Sequence, residues 1–144
     1  MPQQNFVELE IVGTAHDGRG VARLDGFAVF VPYTLEGERV RAELVQKGGR
    51  YAVARVIELL APSPARTAPA CPVYGDCGGC GFQHMSYAEE LRVKRARVAD
   101  ALRRIGGLHV EVPPVLGADS MVRNKATLPL AERGRFAHRC RFRL

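Results

Sequence analysis

The first sixty residues are divided by glycine-containing turns into five short runs in which apolar and polar side chains alternate. Alternation with a period of two places every second side chain on the same face of a β-strand. Asp25-Gly26, between the second and third runs, is typical of a two-residue hairpin turn. Five short strands would leave exposed edges in an open sheet, so we expect residues 6–60 to close into a small antiparallel barrel. The predicted strands are Phe6–Val12, Val21–Leu24, Phe27–Val31, Arg39–Val45 and Tyr51–Ile57.

A proline-rich segment and one helix follow the predicted barrel. Residues 61–70 contain three prolines and no periodicity, which predicts an extended linker. A capping box at Ser86–Glu89 predicts a helix over Tyr87–Ile105, which two glycines end. Its apolar stripe is expected to consist of Leu91, Val98, Leu102 and Ile105. Short strands are expected at Val110–Val112 and Thr127–Leu130, so the fold class is mainly β with one long helix.

The positive charge of the chain is concentrated in its second part. The net charge is +6; residues 62–144 carry 14 Lys and Arg against 7 Asp and Glu, whereas residues 1–61 carry 7 against 8. A basic segment favours a polyanionic partner, most simply nucleic acid, although a solvated basic surface gives the same count. The hydrophobic fraction of 47% fits a soluble globular protein, and no apolar run is long enough to cross a bilayer. The first residues have neither the basic start nor the apolar run of a signal peptide, so a cytoplasmic location is expected.

Three of the four cysteines lie within ten residues, in the spacing C-x5-C-x2-C. Without a secretory signal, such a cluster favours metal binding or redox chemistry over disulfides. A zinc site could use Cys71, Cys77, Cys80 and His84, which are ligands of the right kinds. An iron–sulfur cluster would need a fourth thiolate, and the only one left is Cys140. A redox dithiol at Cys77 and Cys80 is the third alternative, although the strand–helix setting of a thioredoxin-like motif is missing.

The barrel segment resembles a known RNA-binding domain. Residues 15–44, AHDGRGVARLDGFAVFVPYTLEGERVRAEL, are similar to the TRAM domain, an OB-like barrel. The resemblance implies that the barrel contacts RNA; the alternative is a barrel that only packs on a neighbouring domain. Because the barrel segment is nearly neutral, RNA contact depends on where its basic residues lie. The expected RNA contacts, two of them on the helix, are Arg19, Arg23, Arg41, Lys47, Arg50, Arg92 and Arg95.

The cysteine loop and the helix extend the resemblance. Residues 71–107, CPVYGDCGGCGFQHMSYAEELRVKRARVADALRRIGG, resemble the RNA uracil-C5 methyltransferases, especially those acting on 23S ribosomal RNA. In that family the loop supplies three ligands of a 4Fe–4S cluster, which implies Cys71, Cys77 and Cys80 here. Gln83 and His84 match the motif but are not expected to bind iron. The fourth ligand of the family lies further along the chain than Cys140, which is a doubtful substitute.

The resemblance implies a division of the chain and a function. The expected parts are a TRAM-like barrel at 1–61, a linker at 62–70, a cluster-binding loop at 71–85, and a helix with the incomplete start of a central α+β domain at 86–144. Val122–Ala126 resembles the beginning of that central domain. The implied reaction is methyl transfer from S-adenosylmethionine to carbon 5 of a uracil.

The catalytic domain of the family, with its nucleophilic cysteine, general base and S-adenosylmethionine site, is not matched by these residues. We therefore expect a truncated or frame-shifted product that holds no catalytic residue and is inactive alone. It is expected to be monomeric and to bind ribosomal RNA. Two other functions stay open: a free-standing zinc-binding RNA-binding module, and a redox sensor based on a cluster.

Overall fold

The computed structural model of the chain describes residues 6–76 and 80–118. Five strands form a closed barrel in the order β1-β2-β3-β5-β4, and one helix follows. The predicted mainly β fold with one long helix is therefore confirmed. The elements are β1 Phe6–Thr14, β2 Gly20–Leu24, β3 Phe27–Val31, β4 Arg39–Lys47, β5 Tyr51–Ala61 and α1 Tyr87–Arg104.

The expectation of a wholly antiparallel barrel is wrong at one pair of strands. Strands β3 and β5 run parallel, with Ala28 opposite Tyr51 and Phe30 opposite Val53. The other four neighbouring pairs are antiparallel. Strand direction cannot alternate all the way around a ring with an odd number of members, so a five-stranded closed barrel needs at least one parallel pair.

Small and β-branched side chains fill the barrel. Inward and outward residues alternate along most of the strands, as the period of two requires, whereas Ala52, Val53 and Ala54 of β5 are all buried. Alanine at four of the inward positions allows opposite walls to approach closely, so little space is left for water. The buried core consists of Leu9, Ile11, Ala22, Val29, Val31, Val40, Ala42, Ala52 and Ala54.

The turn between β2 and β3 has the predicted hairpin geometry. Asp25 and Gly26 have φ angles of 50° and 84°, so both central residues lie in the left-handed region. Two positive φ angles match the right-handed twist of the flanking strands, which is why this dipeptide favours such turns.

The helix begins as predicted but packs on a different face. The hydroxyl of Ser86 accepts a hydrogen bond from the amide of Glu89 at 3.3 Å, which caps the first turn. The predicted apolar stripe is wrong, because Val98 is 48% exposed and Ile105 is 88% exposed. The buried residue is Val93, which packs with Leu35, Met85 and Phe82. Val93 lies in the first half of the helix, and its contact with Leu35, in the connection between β3 and β4, selects the face that is buried.

The segment after the helix turns back along it without forming the expected strand. Residues 110–112 have no regular secondary structure. The side chain of Arg95 donates to the carbonyl of Val112 at 2.6 Å, and the amide of Ala118 donates to the hydroxyl of Tyr87 at 2.9 Å. Side chains of the helix thus form hydrogen bonds with backbone groups that would pair with a neighbouring strand in a sheet. Val122–Ala126 and Thr127–Leu130 lie outside the described residues.

The predicted linker is held against the barrel. Arg66 pairs with Met85 in an isolated β-bridge, and the amide of Ser86 donates to the carbonyl of Ala65 at 2.8 Å. The two ends of the cysteine loop are therefore brought together beneath the barrel. No helix in the described ranges is long and apolar enough to span a bilayer.

Candidate metal centre and nucleic-acid interface

Cys71 and Cys80, both in the cysteine loop, form no disulfide and are partly buried. Cys77 and Cys140, which complete the sets of ligands considered above, lie outside the described residues. Among the residues that are described, no three His, Cys, Asp or Glu side chains come close enough together to hold a metal ion. The three-cysteine ligand set therefore stays a prediction.

His84 is buried, and both of its ring nitrogens face partners within the protein. The ring is 1% exposed, with Nδ1 at 2.6 Å from the hydroxyl of Tyr74 and Nε2 at 3.4 Å from the carbonyl oxygen of Thr34. A carbonyl only accepts, so Nε2 carries the proton and Nδ1 accepts from the tyrosine. Burial lowers the pKa of His84, which keeps the ring neutral. Both ring nitrogens are occupied, and this arrangement counts against His84 as a zinc ligand.

Tyr74 fixes the middle of the loop on the barrel. Its ring meets that of Tyr33 edge-on, with centroids 5.2 Å apart, and the hydroxyl of Tyr33 donates to the carbonyl of Gly75 at 3.3 Å. Burial, with smaller effects from Tyr33 and Cys80, raises the pKa of Tyr74 to about 12. The phenol therefore stays protonated at neutral pH and can donate its hydrogen bond to His84.

Gln83 holds the start of the loop. Its side-chain oxygen accepts a hydrogen bond from the amide of Cys71 at 3.1 Å. The carbonyl of the next residue, His84, accepts from the amide of Thr67 at 3.0 Å. Gln83 and His84 belong to the family motif, but the sequence does not show what they do. In the structure Gln83 positions Cys71, and His84 anchors the loop to Thr67.

A buried ion pair joins the linker to the barrel. The carboxylate of Glu38 is fully buried and accepts from Arg66 at 2.6 and 2.7 Å, from the amide of Leu35 at 2.9 Å and from the amide of Ser63 at 3.1 Å. Arg66 also donates to the carbonyl of Tyr33 at 2.8 Å. Burial alone would raise the pKa of Glu38, but the hydrogen bonds from Arg66, Leu35 and Ser63 outweigh it and hold the pKa below its usual value. No local sequence pattern predicts this pair, because its members are 28 residues apart.

The two helical arginines predicted to bind RNA are engaged within the protein. Arg92 forms ion pairs with Glu89 at 2.7 Å and Glu36 at 3.0 Å, and hydrogen bonds from these two carboxylates hold the pKa of Arg92 above its usual value. Arg95 donates to a backbone carbonyl and lies 3.8 Å from Glu111. These contacts support the helix and the segment that packs along it.

The barrel residues predicted to contact RNA fall into two groups, those that form an ion pair and those that do not. Arg41 pairs with Glu58 at 2.8 Å, and Arg19 pairs with Asp17 at 2.7 Å. The second group is exposed, and within residues 6–76 and 80–118 none of its members forms an ion pair. The members of this group are Arg23, Lys47 and Arg50.

Comparison with known proteins agrees with this architecture. A model of the TRAM domain matches residues 6–57. Over 134 residues, 91% of the chain, the sequence is 43% identical to an uncharacterized RNA methyltransferase of Halalkalibacterium halodurans. Similar relatives of the same description come from Listeria monocytogenes, at 42% identity over 90% of the chain, and from Synechocystis, at 41% identity over 90% of the chain. Residues 6–57 thus form a TRAM domain, and the chain as a whole is similar to RNA methyltransferases that contain one.

The match to these RNA methyltransferases covers a minor part of their length. The chain spans 28–29% of the three relatives named above. Among solved structures, the tRNA (uracil-54, C5)-methyltransferase of Pyrococcus abyssi in complex with S-adenosyl-L-homocysteine is 31% identical, with a TM-score of 0.47 over 74% of this chain and 23% of that one. The resemblance expected from the sequence is confirmed by the TRAM match and by the relatives named above.

Proposed function

We propose that this chain forms the RNA-recognition and iron–sulfur part of an S-adenosylmethionine-dependent RNA uracil-C5 methyltransferase that acts on 23S ribosomal RNA in the cytoplasm. The observation that carries the proposal is the attachment of a cysteine loop to a TRAM barrel, in a sequence 43% identical to an RNA methyltransferase. We assign no catalytic residue to this part. Its role is to hold RNA, as a monomer, while the uracil is presented for methyl transfer.

The proposed cluster ligands are Cys71, Cys77 and Cys80. Cys71 and Cys80 form no disulfide and are partly buried, and Gln83 fixes the backbone of Cys71. A bound 4Fe–4S cluster would cross-link the loop, since the free energy of metal binding also stabilises the fold that presents the ligands. His84 is occupied on both nitrogens, which favours an all-thiolate set over zinc bound by three cysteines and one histidine.

The residues around the loop have supporting roles that do not require them to touch iron. Tyr74 and His84 tie the middle of the loop to the carbonyl of Thr34 on the barrel, and Glu38 ties the linker through Arg66. RNA bound across the barrel would therefore keep a fixed position relative to the loop. Methylation at carbon 5 requires a uracil that has left its base stack, and fixed RNA contacts on either side help to hold it there.

Purification under anaerobic conditions tests the cluster. The wild-type chain is expected to be brown, to contain iron and acid-labile sulfide, and to lose both when Cys77 is changed to Ser. His84→Gln, which removes no proposed ligand, is the control and is expected to retain iron. Stoichiometric zinc with no iron would contradict the proposal and favour the zinc-binding module.

Binding of a 23S ribosomal RNA transcript, measured by filter retention, tests the RNA part. We expect binding that weakens as salt is raised, because phosphate contacts release counterions. Absence of binding by the iron-loaded chain would contradict RNA recognition. Binding that is switched reversibly by oxidation of the cluster would instead favour a redox sensor.

A further inference from the structure

One outer face of the barrel combines exposed aromatic and basic side chains. Ala22, Val29 and Ala52 point into the core, so Arg23, Ala28, Phe30 and Tyr51, which alternate with them, point outward. We call the outward set the stacking face. It consists of Arg23, Ala28, Phe30 and Tyr51.

The register of the strands places a small residue between a ring and a charge. Arg23 lies opposite Ala28 in β3, and Ala28 lies opposite Tyr51 in β5. Adjacent strands are about 4.8 Å apart, so Arg23 and Tyr51 stand about 10 Å apart with only a methyl group between them. The result is a shallow depression. A base can stack on its Tyr51 side, and a phosphate can bind to its Arg23 side.

A second ring continues the depression along the barrel. The rings of Phe30 and Tyr51 meet at 67°, with centroids 5.8 Å apart, and Tyr51 is 42% exposed. The guanidinium of Arg19 lies 4.6 Å from the centre of the Phe30 ring and is held by Asp17. A planar guanidinium fixed above a ring offers a further flat surface to a base.

Basic residues surround this face, and carboxylates do not neutralise them. Arg50 lies in the turn that leads into Tyr51, and Lys47, near the same end of the barrel, lies 5.7 Å from the ring of Phe27, the first residue of β3. Within the described ranges, no ion pair involves Lys47, Arg50 or Arg23. Among the described basic residues of the barrel, these three are therefore the ones whose charge is free to meet a polyanion.

The opposite wall of the barrel, formed by β1, β4 and the later part of β5, is different. Arg39 lies 3.6 Å from Glu8, Arg41 lies 2.8 Å from Glu58, and Arg55 lies 2.5 Å from Glu43. Each arginine on that wall has an acidic neighbour, so the wall neutralises itself. A polyanion is therefore better matched by the stacking face, on β2, β3 and the start of β5, than by the opposite wall.

We propose that the stacking face binds an unpaired stretch of RNA, with one base on Tyr51 and the next on Arg19 above Phe30. The phosphates then lie against Arg23, Lys47 and Arg50. This inference rests on the proposed function and names the form of RNA that the barrel takes. Bases in a duplex are stacked on one another and cannot reach the rings, so paired RNA offers this face only its backbone.

Fluorescence anisotropy with the full 144-residue chain tests the stacking, using a short labelled single-stranded RNA and the same strand annealed to its complement. Tyr51→Ala should weaken binding of the single strand about tenfold, because one base loses its stacking partner. Tyr51→Trp should restore binding. Tyr87→Ala is the matched control, since Tyr87 is 43% exposed but lies on the helix.

Charge reversal provides a second measurement that does not depend on the ring. Arg23→Glu should weaken binding of the single strand and flatten its salt dependence. Arg55→Ala, on the self-neutralised wall, should have little effect. Circular dichroism of each variant shows whether its fold is retained, and Arg23 is exposed without an ion pair, so its replacement should leave the fold intact.

The possible results separate this inference from the proposed function. If the wild-type chain binds RNA but Tyr51→Ala and Arg23→Glu bind it equally well, the stacking face is wrong while RNA recognition stands. Equal affinity for the duplex and the single strand would also overturn the inference. If the chain binds neither form of RNA, both fail, and a barrel that only packs on another domain takes their place.

Discussion

Replacement of Glu38 by Ala would remove the centre of the contact between barrel and linker. The carboxylate is fully buried and accepts four hydrogen bonds, two from Arg66 and one each from the amides of Leu35 and Ser63. After the replacement, Arg66 keeps its bond to the carbonyl of Tyr33 but has no counter-charge. The Leu35 amide loses its partner in a buried site.

The expected loss of stability is about 3 kcal/mol. Removal of one partner from a buried ion pair costs roughly 3–5 kcal/mol, because the other charge stays buried without compensation. The side chain of Arg66 is 24% exposed, so water can solvate part of the guanidinium, and this places the cost at the lower end. An exposed pair contributes only about 0–1 kcal/mol. Glu43→Ala, which breaks the pair with Arg55, is therefore the matched control.

Urea denaturation under anaerobic conditions, followed by circular dichroism, measures both variants. Hydrogen exchange of the Leu35 and Ser63 amides gives a local measurement, and both amides should lose protection only in Glu38→Ala. If Glu38→Ala and Glu43→Ala lower the free energy of unfolding equally, the reasoning about this pair is refuted.

Acidification tests the same pair without a mutation. Hydrogen bonds hold the pKa of Glu38 below that of an unfolded glutamate. Its contribution is therefore complete above the unfolded pKa and is lost as the pH falls through the folded pKa. The free energy of unfolding of the wild-type chain should fall more steeply below about pH 4.5 than that of Glu38→Gln.

Two further predictions concern the barrel and the last cysteine. Gly20→Ala should destabilise the chain by about 1–3 kcal/mol in urea denaturation, since the new methyl group would overlap the buried Thr34 hydroxyl and lie 2.9 Å from Ile11; an unchanged midpoint would show that the barrel can expand there. Cys140→Ala should leave the iron content of anaerobically purified protein unchanged, because the resemblance places the fourth ligand elsewhere; loss of the cluster would identify Cys140 as that ligand.

The strands of the barrel could be predicted from the sequence because their determinants are local. Alternating side chains and glycine turns located all five strands, and Asp25-Gly26 fixed the tightest connection. The observed β1, β4 and β5 run further than expected. The parallel pair of β3 and β5 could not be read from any one segment, because it follows from closure of the whole ring.

The helix and the candidate site were less predictable, because contacts between distant residues decide them. The spacing of apolar residues suggested a stripe with Val98 and Ile105, but Leu35 and Met85 bury Val93 instead. Likewise, the basic residues were chosen by charge alone, and only the fold separates the paired Arg41 from the unpaired Arg23. From the sequence alone, Tyr51 is predicted only as part of a strand, because its position beside Arg23 depends on the pairing of β2, β3 and β5.

The Glu38–Arg66 pair has a consequence for how this architecture can be cut or recombined. By composition, the proline-rich stretch after Ala61 is an obvious place to exchange one barrel for another. A graft made there would separate Glu38 from Arg66 and leave the buried carboxylate without a counter-charge. A transferable module must therefore extend through Arg66 and include Met85, its bridge partner. In this protein the smallest exchangeable unit is the barrel together with its cysteine loop.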